Sequence, residues 1–349
     1  MGLAPQAKVQ RCFWRCFWRL ALCAFAGSNG LGAALAQTAT SDARSDAQDA
    51  RIDAVLATPG ETALSSDANL FATAPGLEQQ VRAPRFTFNL LTPVFFNSNA
   101  QASADGGTRS VEISPLGQLS WAAPAPDLPI RFSANLRVES ERLTGVPEAD
   151  RDFLAGGFRA QYVDANADHS FSPYLAYAPR VDFQPLFSQE IATRHDVNVG
   201  FNTRINFGAD FQRLSPNGAS GDAVWALGLT AFMQRRFREP APASAAIFLI
   251  PSMSYIISEQ WSFSFGVQFI GRQFDDINGF TRRDFNVEPI ATLGFALPSY
   301  LLGDNETARW FGRPRLDFQA SLERNASNLS TASFTQVTAG VTLQTGWRF

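Results

Sequence analysis

The sequence predicts an all-β fold, a transmembrane antiparallel up-and-down β-barrel of about 12 strands. Apolar and polar residues alternate from residue 85 to the end of the chain. Several alternating segments are far longer than the usual strand of about 5–6 residues. Charged residues make up only 17% of the chain, whereas soluble proteins average about 25%. Together these features favour long strands with one apolar and one polar face.

Residues 1–36 are predicted to be a cleavable signal peptide. They carry four basic residues and no acid, then an apolar stretch, and they end in Ala34-Leu35-Ala36, a pattern typical of cleavage sites. All three cysteines lie in this part, so the exported chain would hold no cysteine-bound metal and no disulfide. Loss of four positive charges changes the net charge from -3 to -7. That balance excludes a nucleic-acid binder that works by general basicity. We expect no metal and no cofactor.

Residues 37–84 form an acidic leader before the barrel. They contain seven acids and three arginines and are rich in Ala, Ser and Thr. A short helix over Asp42 to Leu56 would place Ala47, Ala50 and Ala54 on one face. The composition favours a mostly disordered periplasmic segment. A plug that enters a pore is the alternative.

Residues 85–349 contain twelve alternating segments. In Ile130 to Val138 every even position is apolar and every odd one is polar, so successive side chains point to opposite faces of a strand. Turn-forming residues such as Asn278-Gly279 separate the segments. An even number of strands is expected for a bacterial single-chain barrel. The predicted strands lie near 85–96, 109–122, 129–142, 153–163, 170–183, 194–213, 223–238, 245–257, 260–274, 283–297, 314–325 and 333–349.

The aromatic residues indicate that the apolar face points outward. With both ends of the barrel on one side of a membrane, the Trp residues of the barrel all fall at that side, and three Tyr residues are expected at the same level. Amphipathic rings concentrate at a membrane interface, whereas the core of a soluble sandwich gives no reason for this clustering. These residues are Trp121, Trp225, Trp261, Trp310, Trp347, Tyr162, Tyr174 and Tyr255.

The last strand carries the most specific motif. In Val341 to Phe349 the apolar residues Val341, Leu343, Trp347 and Phe349 share one face. This pattern resembles the terminal assembly signal of Gram-negative outer-membrane β-barrel proteins, with Trp347 and Phe349 at its aromatic positions. The resemblance implies a location in the bacterial outer membrane, insertion by the β-barrel assembly machinery and escort by periplasmic chaperones. It indicates the class and no particular subfamily.

Strand parity predicts a charged lumen. Seven arginines and seven acids are expected to face inward, so neither sign dominates. A passive channel for small polar solutes is the preferred function, because twelve strands enclose more space than the eight that side chains alone can fill. The inward residues are predicted to be Arg131, Arg137, Arg159, Arg180, Arg204, Arg236, Arg272, Glu112, Glu139, Asp182, Asp210, Glu288, Asp317 and Glu323. Those chosen as pore-lining are Arg131, Arg137, Glu139, Arg159, Arg204, Asp210, Arg272 and Glu288.

Two other functions stay open at this point. In the first, charge pairs fill a closed structural or adhesion barrel whose loops contact partners. In the second, the barrel is a lipid-modifying enzyme, with His195 near its outer rim. The sequence around His195 lacks the His-x-Ser pattern of the outer-membrane phospholipase, so we expect no enzyme.

Five arginines are predicted on the outward face near the extracellular ends of strands. Arginine is nearly free of cost at a membrane interface, and its guanidinium can bind lipopolysaccharide phosphates with two hydrogen bonds. Simple snorkelling is the alternative. The five are Arg109, Arg142, Arg235, Arg283 and Arg324. The oligomeric state stays open.

Overall fold

The computed structural model describes residues 85–104, 107–125, 128–162, 170–214, 224–258, 260–275, 281–298 and 314–348. Twelve long strands run up and down. They are β1 Arg85–Asn97, β2 in two parts (Ser110–Ile113 and Leu116–Pro124), β3 Ile130–Leu143, β4 Arg151–Tyr162, β5 Ser170–Phe183, β6 Glu190–Phe207, β7 Trp225–Glu239, β8 Ser244–Ile256, β9 Trp261–Phe274, β10 Arg283–Ala296, β11 Arg315–Ser327 and β12 Phe334–Arg348. Within the described connections lie three single turns of 3-10 helix, Pro147–Ala149, Pro185–Phe187 and Ser330–Ala332.

The sheet closes on itself. Each strand pairs antiparallel with its neighbours in sequence, and β12 pairs with β1 from Thr87↔Arg348 to Asn97↔Thr338. We call the end that holds the start of β1 and the end of β12 the terminal end, and the opposite end the distal end. The predicted all-β up-and-down barrel is therefore confirmed. Among the described residues, no α-helix is long and apolar enough to cross a bilayer.

The two faces of the wall have opposite polarity. On β3, Leu136 and Val138 point outward and are 50% and 44% exposed, whereas Glu139 points inward and is 1% exposed. The other strands follow the same alternation. An apolar outer surface with buried polar groups inside is the reverse of a soluble protein, and it suits a barrel surrounded by lipid.

Aromatic rings stack around the terminal end. Trp225 stacks on Tyr255 with 4.0 Å between ring centroids, and Trp261 lies 4.6 Å from Phe295. Trp347 stacks on Phe88 at 5.7 Å across the seam that closes the barrel. For Trp225, Trp261 and Trp347 this arrangement matches the predicted aromatic level at one end, whereas Trp310 lies outside the described residues. Tyr174 is an exception, because it points into the lumen and is 3% exposed.

Two strands differ most from the prediction. Pro115 has no amide hydrogen, and β2 is interrupted at Ser114-Pro115. The segment predicted as 194–213 begins earlier, at Glu190, and ends at Phe207. The chain then turns at Ala209-Asp210, and Arg213–Leu214 pairs back on Asn206 and Phe207.

Candidate functional site

The candidate site is the lumen, where described charged side chains of nine of the twelve strands meet. Alternation places twelve described arginines and nine described acids on the inner face. The arginines are Arg131, Arg137, Arg151, Arg159, Arg180, Arg194, Arg204, Arg236, Arg238, Arg272, Arg282 and Arg315. The acids are Glu112, Glu139, Glu141, Asp182, Asp196, Asp284, Glu288, Asp317 and Glu323.

Ion pairs link neighbouring strands in the distal half of the lumen. The Nε atom of Arg151 on β4 lies 2.5 Å from Oε2 of Glu141 on β3. On β7, Arg236 donates to both carboxylate oxygens of Asp196 on β6, at 2.9 and 3.1 Å. Arg194 lies 3.2 Å from the same carboxylate. Arg194 belongs to the same strand as Asp196, whereas the Arg151–Glu141 and Arg236–Asp196 pairs bridge adjacent strands and so hold the wall together as well as line it.

Aromatic rings hold several inward arginines in place. The guanidinium carbon of Arg180 lies 3.7 Å from the ring centroid of Phe153, and that of Arg159 lies 3.8 Å from the ring centroid of Tyr174. Such cation–π contacts attract the guanidinium group to the face of the ring and so hold the side chain in position. In the amide orientation that satisfies both of its ends, Asn202 also accepts a hydrogen bond from Arg159 at 2.8 Å.

The charges are distributed unevenly along the barrel axis. We assign each residue to a half of the lumen by its position along its strand. The distal half holds eight arginines and eight acids of the described set. The terminal half holds Arg131, Arg159, Arg204 and Arg315 against the single acid Asp317, an excess of three positive charges among the described residues.

One part of the inner wall is apolar. This apolar patch consists of Tyr174, Ala176, Phe232, Ala246, Phe248 and Ile270, on strands β5 and β7–β9. Phe232 and Phe248 stack with 4.2 Å between ring centroids. Between β5 and β7, Gly200 leaves room for Phe232, since a Cβ at this position would lie 2.3 Å from the Cβ of Phe232. The lumen is therefore not uniformly polar.

Seven of the eight predicted pore-lining residues lie on the inner face. Arg131, Glu139, Arg159, Arg272 and Glu288 are buried there, and Arg137 and Arg204 are partly buried. Asp210 was placed wrongly, because β6 ends three residues earlier and this side chain is exposed in the turn that follows.

Several further inward charges also follow the parity of their strands, although they were not predicted. Arg194, Asp196, Arg238, Arg315 and Asp284 alternate with residues that were assigned to the outer face. Arg151 lay outside the predicted strand, which began at residue 153. The sequence predicts which residues of a strand face lipid and which face the lumen. It does not predict the ends of the strands accurately enough to place the residues near those ends.

The five arginines predicted on the outer rim fall into two groups. Arg109, Arg283 and Arg324 are exposed. Arg142 donates to Oδ1 of Asp152 at 2.7 Å and to the carbonyl oxygens of Glu141 and Arg151. Arg235 forms a two-point pair with Asp275 at 2.8 and 2.6 Å. The guanidinium groups of Arg142 and Arg235 are therefore already bound by other groups of the protein.

The outward-facing His195 contacts a tyrosine rather than a serine. Its Nδ1 lies 2.7 Å from the hydroxyl of Tyr177, and the two rings stack. No group of three or more His, Cys, Asp or Glu residues in the described ranges is arranged to hold a metal ion. Phe349, the end of the predicted assembly signal, lies outside the described residues, whereas Trp347 points outward on β12.

The connections at the distal end are held by specific contacts. Asn99 accepts a hydrogen bond from the backbone N of Ser103 and donates to the carbonyl oxygens of Ser103 and Thr335. Ala100 packs against Leu143 and Val146 and is fully buried. Beside Arg142, Asp152 accepts a hydrogen bond from the backbone N of Phe187 at 3.1 Å. These contacts tie three connections to the rim.

The known proteins similar to this chain are recognised by structure. No protein-family model matches the sequence, and a search of curated proteins found no significant match. The translocator domain of the autotransporter NalP from Neisseria meningitidis is similar at a TM-score of 0.47 and 10% identity, over 91% of this chain and all of that one. An outer-membrane channel from Pseudomonas putida is similar at 0.41 and 11%, over 76% and 95%. LpxR from Salmonella typhimurium is similar at 0.37 and 10%, over 74% and 99%.

The architecture defines a class, the transmembrane β-barrels with a polar interior. One of the three similar solved structures is described as an outer-membrane channel. All three TM-scores are below 0.5, so none of these similarities transfers a function to this chain.

Proposed function

We propose that the protein is an outer-membrane channel for the passive passage of small polar solutes. The observation that carries the proposal is the inner wall, which presents charges of both signs over its whole length inside a closed sheet. A wall of fixed charges lowers the barrier for polar and charged solutes to leave water and pass a membrane. A purely structural barrel does not require charged inward side chains, since apolar side chains of the same volume would fill it.

The uneven charge distribution favours anions over cations. Arg131, Arg159 and Arg204 lie in the terminal half, where described arginines outnumber described acids by four to one. A low-dielectric wall concentrates the field of such charges in the passage and raises the local concentration of counter-ions. In the distal half, paired charges produce a transverse field that orients a dipolar solute.

A closed structural barrel is the second candidate, because a specific observation favours it. Inward charges such as Arg236 and Glu288 are only 2% and 0% exposed, so they are shielded from water. The ordered distal connections around Asn99 and Asp152 would suit contacts with partners. We further propose that the protein has no catalytic role, since the Nδ1 of His195 is engaged by the hydroxyl of Tyr177 rather than by a serine.

Single-channel recording of the refolded chain in a planar bilayer separates the two candidates. A channel gives discrete current steps, and its reversal potential under a salt gradient shifts toward the anion potential. Efflux of small charged dyes from proteoliposomes should follow the same preference. A folded barrel, verified by its heat-modifiable gel shift, that gives no steps at any voltage would refute the channel and leave the structural barrel.

A further inference from the structure

The inner face of the terminal half is open to solvent on one side and filled on another. Inward Thr292 on β10 and Thr342 on β12 are each 1% exposed. Ser252 also points inward, on β8, and it is exposed. Four residues of β8 separate it from the terminal end of that strand, a distance of about 13 Å along the strand. Because the inner face of a closed sheet is reached only through the lumen, this exposure marks open space beside β8.

The open space is a recess in the wall at Ser252. In the sheet register Ser252 stands opposite Gly228 on β7 and opposite Gly266 on β9, so neither neighbour has a side chain. The Oγ of Ser252 lies over β7, where a Cβ added at Gly228 would be 2.7 Å from it. We call this space the terminal recess. Toward the distal end it is bounded by Phe232 and Phe248 of the apolar patch.

Arg204 provides a positive charge at the edge of the terminal recess. It stands opposite Gly228 on the side away from Ser252, so the backbones of Arg204 and Ser252 are two strand spacings apart, roughly 10 Å. The Nε of Arg204 donates to Oδ1 of Asn206 at 2.9 Å, which holds the guanidinium group against the inner wall. Because Gly228 has no side chain, the guanidinium group and the hydroxyl of Ser252 face the same space.

Arg204 is also the arginine of the described terminal half that a solute can reach. Arg131, Arg159 and Arg315 are 6%, 1% and 7% exposed, whereas Arg204 is only partly buried. The three buried arginines act on a solute through their field, whereas Arg204 can also contact it. Among the described residues, no acid points inward in the terminal halves of β6–β9. The terminal recess is therefore positive as well as accessible.

The polar groups of the terminal recess suit an oxyanion. A guanidinium group donates charge-assisted hydrogen bonds to carboxylate or phosphate oxygens, and serine and threonine hydroxyls donate to the same acceptors. The inward hydroxyl residues around Arg204 are Thr230, Ser252, Ser254 and Ser264, all of them partly buried or exposed. A cation would find a repelling charge here and no described carboxylate on these strands.

We propose that the terminal recess binds small oxyanions, with Arg204 and Ser252 as the residues that contact them. The binding stands on the exposure, register and charge of the inner wall. Its role in selecting the solutes that pass through the barrel rests on the proposed function. The recess is therefore tested by chemical labelling, which requires no current.

Labelling of an introduced thiol tests the terminal recess in the full chain, with Cys12, Cys16 and Cys23 replaced by serine and the barrel refolded into liposomes. The reporters are Ser252→Cys and, as a second variant that keeps Ser252, Ser254→Cys. The probes are two methanethiosulfonates of similar size, one bearing a sulfonate and one a trimethylammonium group. Two controls are matched to the reporters: Thr292→Cys is inward but buried, and Met253→Cys points outward on β8. The heat-modifiable gel shift verifies that each variant is folded.

Both reporters should react many-fold faster than the two controls, and they should favour the sulfonate reagent after normalisation to a free thiol. Arg204→Gln should reduce that preference several-fold, because the nearest accessible positive charge is lost, whereas Arg283→Gln on the outer face should not. Equal rates at positions 252, 254 and 292 would overturn the recess. A charge preference that Arg204→Gln leaves unchanged would overturn the role of Arg204.

Protection of the Ser254→Cys reporter tests binding itself. Potassium phosphate or potassium acetate, compared with potassium chloride at equal ionic strength, should slow labelling, and Arg204→Gln should abolish the effect. Protection by either salt supports the proposal, and the stronger of the two identifies the preferred oxyanion. Protection by neither salt would overturn it. A labelled and protected recess in a barrel without conductance would refute only the channel, whereas a conducting barrel with unreactive reporters would refute only the recess.

Discussion

At the scale of single residues, the contribution of an inward charge to stability depends on the residues that surround it. Arg315 at the terminal end of β11 is 7% exposed. Its Nε donates to Oδ1 of Asp317 at 2.7 Å, and its Nη2 donates to the hydroxyl of Ser262 at 2.9 Å. Asp317 itself has no exposed surface. These two buried charges stabilise the wall only as a pair. If one is removed, the other remains desolvated and no longer has an opposite charge to compensate for the cost of desolvation.

Arg315→Met should therefore destabilise the folded barrel by about 3–5 kcal/mol, since it leaves the Asp317 carboxylate buried without this partner. Urea unfolding in detergent, followed by tryptophan fluorescence, measures the change. Arg324→Met on the same strand is the control, because Arg324 is exposed on the outer face, and it should change stability little. The double variant Arg315→Met/Asp317→Leu should regain most of the loss. If the double variant is as unstable as the single one, the pair is not the cause.

The outer-rim arginines allow a comparison within one protein. Arg109, Arg283 and Arg324 are exposed, whereas Arg142 and Arg235 are bound to Asp152 and Asp275. Replacing the three exposed arginines by Gln should lower the lipopolysaccharide that co-purifies with the barrel, because free guanidinium groups bind phosphates best. Replacing the two paired arginines should lower it less. The bound lipid is measured by mass spectrometry, and equal retention in all variants would contradict a phosphate-binding role.

Strand parity gave the direction of most inward side chains, because a period of two leaves only two choices. It could not give their partners. The pairing of Arg236 with Asp196 depends on which residues of β6 and β7 stand opposite each other, and register is set by loop lengths and closure. Parity also fails where a strand ends sooner than its pattern. Asp210 continues the alternation of β6 in sequence but lies in a turn. Tyr174 was grouped with the interface aromatics by residue type, although its even position on β5 places it inside.

At the scale of elements, the seam between β1 and β12 decides whether the barrel closes. Gly340 lies on the inner face of β12 beside β1, and a Cβ added there would lie 2.1 Å from the carbonyl oxygen of Val94 and 2.7 Å from the Cα of Phe95. Both atoms belong to the backbone of β1, so a side chain at this position must push the two strands apart. The seam therefore requires glycine for close approach and not for an unusual backbone angle.

Gly340→Val should lower the folded fraction and the thermal stability of the barrel, since the closing hydrogen bonds around Val94 would be strained. The neighbouring Ala339→Val is the control, because residue 339 points outward and is exposed to lipid. The heat-modifiable gel shift across a temperature series measures both. A Gly340→Val barrel that melts at the same temperature as Ala339→Val would show that the seam tolerates the extra volume.

The end of β12 also carries the assembly prediction. Trp347 points outward and stacks on Phe88, so the last strand already has one aromatic contact at the seam. Deleting Phe349 should slow insertion and leave aggregates in the periplasm, because the terminal aromatic of the resembling signal is lost. Fractionation of cells followed by immunoblotting measures the outcome. Deleting a residue at a distal connection, such as Ser330, serves as a control for chain shortening, and wild-type levels without Phe349 would contradict the signal.

At the scale of the whole molecule, the distribution of charge along the barrel matters more than the net charge of -3. The sequence predicted equal numbers of inward arginines and acids, and the described distal half has such a balance. The positive excess at the terminal end was not predicted. It arises because Arg315, which was not predicted to face inward, lies on the inner face, and because Asp210, which was predicted to face inward, lies in a turn. A barrel with paired charges at one end and unbalanced arginines at the other is polar along its axis, and the proposed preference for anions depends on that asymmetry.

Arg204→Glu tests the asymmetry directly. Arg204 lies in the terminal half, is only partly buried, and donates through Nε to Oδ1 of Asn206 at 2.9 Å. Removing one positive charge and adding one negative charge changes the described terminal half from +3 to +1. The reversal potential of the channel under a salt gradient should therefore shift toward cations while the barrel stays folded, because a partly hydrated site tolerates charge reversal. Arg283→Glu makes the same change on the outer face and should leave the selectivity unchanged.

In a closed barrel, the new Glu at position 204 would be buried among the remaining charges at a cost of about 3–5 kcal/mol. A destabilised Arg204→Glu barrel without conductance, beside a non-conducting parent, would contradict the channel and favour the structural barrel.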